Sequence, residues 1–315
     1  MESRFQSSVV EPAERAVAKR SLAPRPRRRL GIRQRHLGYV FIAPLLVVLL
    51  VTAVYPVVRT VQMSLTDVDE GVWRFVGLAQ YERLIGDQWF WNSLSTTLIF
   101  TIASTILHLS IGMFFALLLN ERWFSNTLRN IMRGALILPW VFSTAAAALM
   151  WALLYHPFGL FNFLNLAVLG RSEPIAFLGT PGLALISIIV VNTWKSYPFY
   201  MISILGGLQG IPVELYDAAK VDGATIWQRF RYVTLPQLRP VLVAVSTIDI
   251  ITTLGHVDLV NMLTRGGPFR TTETVAYYIY KRALLDGLLS YGAAISVLVL
   301  LFMTVFTFFY LRIVV

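Results

Sequence analysis

No cysteine occurs in the 315 residues, which excludes disulfides, thiolate metal centres and a cysteine nucleophile. Charge is scarce as well. Asp, Glu, Lys and Arg make up 14% of the chain, against about 25% in a typical soluble domain. Hydrophobic residues make up 56% and the mean hydropathy is +0.64, so a water-soluble globule is excluded and one membrane-embedded body is expected. The catalytic signatures are missing too. There is no Gly-x-x-x-x-Gly-Lys-Ser/Thr phosphate loop, no Gly-x-Ser-x-Gly elbow and no His-Glu-x-x-His pair. The chain is therefore not expected to be an enzyme, to hold a metal or to carry a cofactor of its own.

The net charge of +10 is unevenly placed. Residues 1–37 carry ten Lys or Arg against three Glu, leaving only +3 for the other 278 residues. A basic, proline-containing segment running straight into an apolar stretch reads as a disordered cytoplasmic tail facing anionic lipid, with no nucleic-acid partner. The stretch after it is too long for a signal-peptide core and lacks a small-residue cleavage site, so a retained transmembrane helix is expected.

About 20 apolar residues cross the hydrocarbon core. Six runs of that order occur, at 38–58, 97–119, 134–155, 182–208, 238–263 and 288–315. The expected fold is an all-α integral membrane protein with six transmembrane helices over 38–315 and both termini cytoplasmic. Counting Lys and Arg outside the spans, with Arg239 and Arg312 at the cytoplasmic ends of the last two, gives 18 on the cytoplasmic side and 8 on the other, the tail supplying the excess. The outer segment 59–96 places Trp73, Trp89 and Trp91 at the membrane boundary.

The loop 211–236, between the fourth and fifth runs, is expected to be a cytoplasmic helix-turn-helix. Pro212 suits a helix start, with Glu214 and Asp217 near its positive end. Gly223 suits a helix stop, and a second helix from Thr225 to Val233 is expected to end before Pro236.

Within it Asp217-Ala218-Ala219, then Asp222-Gly223-Ala224, then Val233-Thr234-Leu235-Pro236 resembles the EAA loop of binding-protein-dependent ABC importer permeases. Asp217 stands where the family has Glu, and Val233 where it usually has Ile. The strings Phe75-Val-Gly-Leu-Ala-Gln-Tyr81, Leu138-Pro-Trp140, Trp194-Lys-Ser-Tyr-Pro-Phe199 and Leu263-Thr-Arg-Gly-Gly-Pro268 resemble permeases of the maltose-importer type for sugars and glycerol phosphate. The resemblance implies a permease subunit in the bacterial inner membrane, working with a second homologous permease, two ATP-binding subunits and an extracytoplasmic solute-binding protein. ATP would be bound by those ATPase subunits. The resemblance also assigns Asp217, Ala218, Ala219, Asp222, Gly223, Ala224, Leu235 and Pro236 to ATPase coupling.

The solute pathway is expected where charge enters the spans. An ionised Lys at mid-span costs about 2.5–3.5 kcal/mol, so Lys195 is expected to face protein or a wet cavity. Pro198, three residues on, predicts a kink. Ser196 and Phe199 share this stretch. In the fifth run Asp249, Thr252, Thr253 and His256 fall on one helix face, together with Ser246. Such hydroxyls and amphoteric groups suit a polyhydroxylated solute. Two readings compete with this one. Lys195 could pair with Asp249 as structural glue, or Asp249 and His256 could serve an ion-coupled secondary transporter. His108 reads as an interhelical donor.

Overall fold

In the computed structural model the described residues are 33–69, 72–121, 123–170 and 172–314, and the expected basic tail falls outside them up to residue 32. The chain divides into two compact units, 1–57 and 58–315.

The described part of the first unit is helical. α1 (Arg33–Leu49) passes through a π-helical turn, Leu50–Val54, into α2 (Tyr55–Ser64). The helix therefore starts before Gly38, where the apolar run begins. Its apolar stretch, Phe41–Ser64, is 24 residues long, about 36 Å at 1.5 Å per residue, enough to cross a bilayer.

In the second unit, β1 (Thr66–Asp69) and β2 (Val72–Phe75) form an antiparallel hairpin with Thr66 opposite Phe75. α3 (Ala79–Ile85) follows, and then α4 (Gln88–Asn120). α4 begins nine residues before the apolar run at Thr97. Asp87 caps it by accepting from the Trp89 amide at 2.9 Å, which satisfies an end that hydropathy does not reveal.

The expected span 134–155 is broken in two. α5 (Asn126–Val141) stops at Phe142, and α6 (Thr144–Tyr155) restarts where Ser143 Oγ accepts from the Ala146 amide at 3.2 Å. A short α7 (Leu160–Ala167) follows. α8 (Leu183–Gln209) is one helix of 27 residues that continues through Pro198 without interruption.

α9 (Val213–Val221) and α10 (Ile226–Arg229) fill the connecting loop. The second helix does not end before Pro236. A π-helical turn, Phe230–Thr234, carries it directly into α11 (Leu235–Leu254). Pro236 closely follows that π-helical turn, and the wider turn accommodates the backbone donor that proline lacks. α12 (Asp258–Leu263), α13 (Val275–Tyr280) and α14 (Leu289–Val314) complete the chain.

Among the described residues five helical stretches are long and apolar enough to cross a membrane: 41–64, 88–120, 144–167, 226–254 and 289–310. The remaining expected span, 182–208, is α8, which mixes Asn192, Lys195 and Ser196 with its apolar residues. α8 can be more polar because protein covers most of its surface. It lies most extensively against α4, and also against α5 and α11. The closest approach to α4 is at Gly112, where an added Cβ would sit 3.0 Å from the Met201 amide nitrogen and 3.1 Å from the Tyr197 carbonyl oxygen. Ala116, Tyr200, Met201, Ile204, Leu208, Leu238 and Val245 form the core around this crossing.

Candidate functional site

Asp249 is buried on α11, 4% exposed, and it gathers donors from two other helices. Tyr200 Oη on α8 donates to it at 3.1 Å. Thr105 Oγ1 on α4 donates at 3.1 Å, and His108 Nδ1 lies 3.0 Å from its Oδ2. Thr253, one turn on in α11, adds its hydroxyl at 3.4 Å. Such a charge is tolerable in a low-dielectric interior because each lone pair finds a donor. The Lys195–Asp249 pair of the competing reading does not form: the carboxylate is already committed to His108.

Lys195 forms no ion pair or hydrogen bond among the described residues. It is half-buried on α8 beside Ser196 and Phe199, both also half-buried. Phe199 stacks on Trp140 of α5, with centroids 6.1 Å apart and planes at 23°. Trp194 packs on Phe142 at 6.1 Å and edge-on to Trp151 at 5.7 Å. Trp140 and Phe142, at the end of α5, thus reach two aromatic neighbours of Lys195 in α8, Phe199 and Trp194. His256, just past the end of α11, is within electrostatic reach of Lys195, Asp249 and Asp258. Thr252 is exposed and satisfies its hydroxyl on its own backbone, at Ile248 and Asp249 carbonyls, each 3.0 Å away.

The structure therefore divides the expected pathway residues into two sets. Lys195, Ser196, Phe199, Thr252 and His256 lie on partly open surface, whereas Asp249 and Thr253 lie behind it. Trp140, Phe142, Tyr200 and Thr105 are additional members that the sequence reading did not assign, while His108, read there as an interhelical donor, makes its bond to Asp249. A signal existed for part of this set. Thr97, Thr101, Ser104, Thr105 and His108 recur at helical spacing, and all but Thr105 are fully buried.

The connecting loop is built as a second site. α9 ends with a Schellman arrangement: the Gly223 amide donates to Lys220 O at 3.0 Å and the Ala224 amide to Ala219 O at 2.9 Å. Gly223 adopts φ +75°, which a side chain would strain. Thr225 and Gln228 then form a reciprocal capping box that starts α10, with bonds of 3.3 and 2.7 Å. Tyr216 Oη and Thr234 Oγ1, 3.0 Å apart, tie α9 to the start of α11. Asp217, Ala218, Asp222, Gly223 and Pro236 are exposed, while Ala219, Ala224 and Leu235 are half-buried. Val221, Ile226 and Trp227 are 87%, 78% and 70% exposed.

Residues 108–314 match the family described as binding-protein-dependent transport system inner membrane component. This chain belongs to that family. The permease is 38% identical over 290 residues to the trehalose/maltose transport system permease protein MalF of Thermococcus litoralis, covering 90% of this chain and 96% of the relative. It is 34% identical to the sulfoquinovosyl glycerol transport system permease protein SmoG of Agrobacterium fabrum, over 92% of this chain and 94% of that one. It is 31% identical to the lactose transport system permease protein LacF of Rhizobium radiobacter, over 86% and 91%. Its fold matches a chain of a bacterial ABC transporter that imports the acidic polysaccharide alginate, with TM-score 0.77, 24% identity and coverage of 90% and 96%. It is an ABC importer permease, an integral inner-membrane component.

Proposed function

We propose that the permease moves a carbohydrate or related polyol inward, as one of two homologous permease subunits driven by two ATPase subunits. An extracytoplasmic binding protein delivers the solute, and the 211–236 loop and both termini face the cytoplasm. The carbohydrate class rests on the relatives named for trehalose, maltose, lactose and sulfoquinovosyl glycerol. The coupling role rests on one observation above all. The loop has both helix ends capped, yet Val221, Ile226 and Trp227 remain largely exposed on it, Trp227 stacked on Phe230 with centroids 5.5 Å apart. Exposed apolar clusters of this kind mark protein contacts.

Its continuity with α11 supplies the mechanics. A push on α9–α10 travels through the Phe230–Thr234 turn into the helix that bears Thr252 and leads to His256. No break dissipates it on the way. ATP-driven closure of the ATPase pair thus moves the solute-facing surface as a lever would.

Gly223→Asp tests the coupling. In the reconstituted importer it lowers ATP-dependent uptake at least tenfold while the chain still inserts and pairs. Wild-type uptake by an assembled Gly223→Asp complex rejects this loop as the coupling element.

A further inference from the structure

Lys195 poses a problem that the fold does not solve internally. It is the thirteenth of 27 residues in α8, so about 20 Å of helix separates it from either end. Its side chain is too short to snorkel to an interface across that distance. The acid best placed to neutralise it, Asp249, already accepts from His108, Tyr200, Thr105 and Thr253. Asp258, the other acid of this neighbourhood, makes no ion pair with it. The nearby titratable group on the α11 side, His256, is itself a base.

The surroundings are equally specific. Lys195, Phe199 and Ile202 share one face of α8, within about 60° of one another, so one ammonium sits in an otherwise apolar patch. Phe199, one turn on from Lys195 in α8, stacks on Trp140, and the preceding residue, Trp194, packs on Phe142. Rings offer flat apolar faces to the C–H side of a sugar, and an uncompensated ammonium offers three donors and a full charge to an anion.

We infer that Lys195 is the anion-recognising group of the pathway, and that the permease carries a carbohydrate or polyol bearing a carboxylate, phosphate or sulfonate. This inference rests on the carbohydrate reading above and narrows it. The negative group sits at the Lys195 ammonium, the sugar ring lies against Phe199 and Trp140, and Ser196 and Thr252 hydroxyls meet its hydroxyls.

The test uses the complete importer, with its binding protein, in proteoliposomes. Uptake of trehalose, lactose, digalacturonate and glycerol 3-phosphate is measured for wild type, Lys195→Met and Lys195→Arg, normalised to assembled complex. At least one anionic probe is carried by wild type. Lys195→Met lowers that uptake tenfold or more while changing uptake of any neutral probe by less than twofold, and Lys195→Arg restores most of it. Transport of neutral probes alone by wild type overturns the inference and leaves the carbohydrate reading intact. So does an equal loss of both kinds in Lys195→Met, the outcome if an acid of the second permease neutralises Lys195. Failure to carry any of the four probes overturns both.

Discussion

His108 Nδ1 lies 3.0 Å from Asp249 Oδ2, joining α4 to α11 across 141 residues of sequence. With Tyr200 of α8 on the same carboxylate, three helices share one acceptor. Asp249→Ala leaves buried donors on all three without a partner, at about 1–3 kcal/mol for each unsatisfied group. The expected result is a lower melting temperature of the purified complex, with Asp249→Asn intermediate because its amide oxygen still accepts. An unchanged melting temperature for Asp249→Ala contradicts the network.

Gly112 and Gly134 make a matched pair. An added methyl at Gly112 meets backbone at 3.0 and 3.1 Å, whereas Gly134 has nothing within 4 Å of the same position. Gly112→Ala forces α4 and α8 apart and costs about 1–3 kcal/mol. Gly134→Ala, on the open side of α5, gains about 0.5–1 kcal/mol from helix propensity. Chemical denaturation of the two variants in detergent separates them, and equal stabilities would contradict the close crossing.

Asp87 gives an acid-labile contact outside the spans. Partial burial pushes its carboxyl up, but hydrogen bonds from Tyr278, Tyr291 and the backbone of Trp89 and Phe90 outweigh burial and hold it below its ordinary 3.8. A depressed carboxyl contributes stability above its unfolded value, and that contribution is lost as pH falls through the folded value. Stability from this contact is therefore flat from pH 7 to 5 and falls only below about pH 4. Asp87→Asn removes that acid-range component. Melting curves of wild type and Asp87→Asn between pH 3 and 7 check it, and parallel curves across that range contradict the assignment.

Thr225→Val removes the side-chain half of the capping box while keeping the shape of the residue. The α10 start loses about 1 kcal/mol. Amide exchange at Trp227, Gln228 and Arg229 is expected to quicken several-fold, and ATP hydrolysis to uncouple partly from uptake. Unaltered exchange at these three amides would show that the cap is not what holds α10.

Much of the site was legible because chemistry repeats at fixed intervals. The Asp217–Ala224 spacing placed a helix, a left-handed glycine and a second helix start, and each corresponds to a hydrogen-bonded feature of α9 and α10. Where the reading went astray, a local rule met a nonlocal one. Pro236 was read as a stop, but the π-helical turn before it takes up the missing donor and the helix runs on through α11. The unbroken apolar run over 134–155 conceals the break at Phe142–Ser143, since hydropathy does not register a cap.

The sequence alone determined that this chain lives in a bilayer, where the helix-turn-helix loop lies, and that Lys195 and Asp249 are anomalies requiring explanation. Scarcity does this: in a chain so poor in charge, any ion within a span must have a reason. Only the tertiary structure decided what each one does. A carboxylate and an ammonium on separate helices could neutralise one another, and sequence spacing has no means to forbid it. The close packing of α4 on α8 at Gly112 brings His108, Thr105 and Tyr200 around Asp249 and satisfies that charge inside the bundle. Lys195 is left half-buried on α8, with no ion pair or hydrogen bond among the described residues.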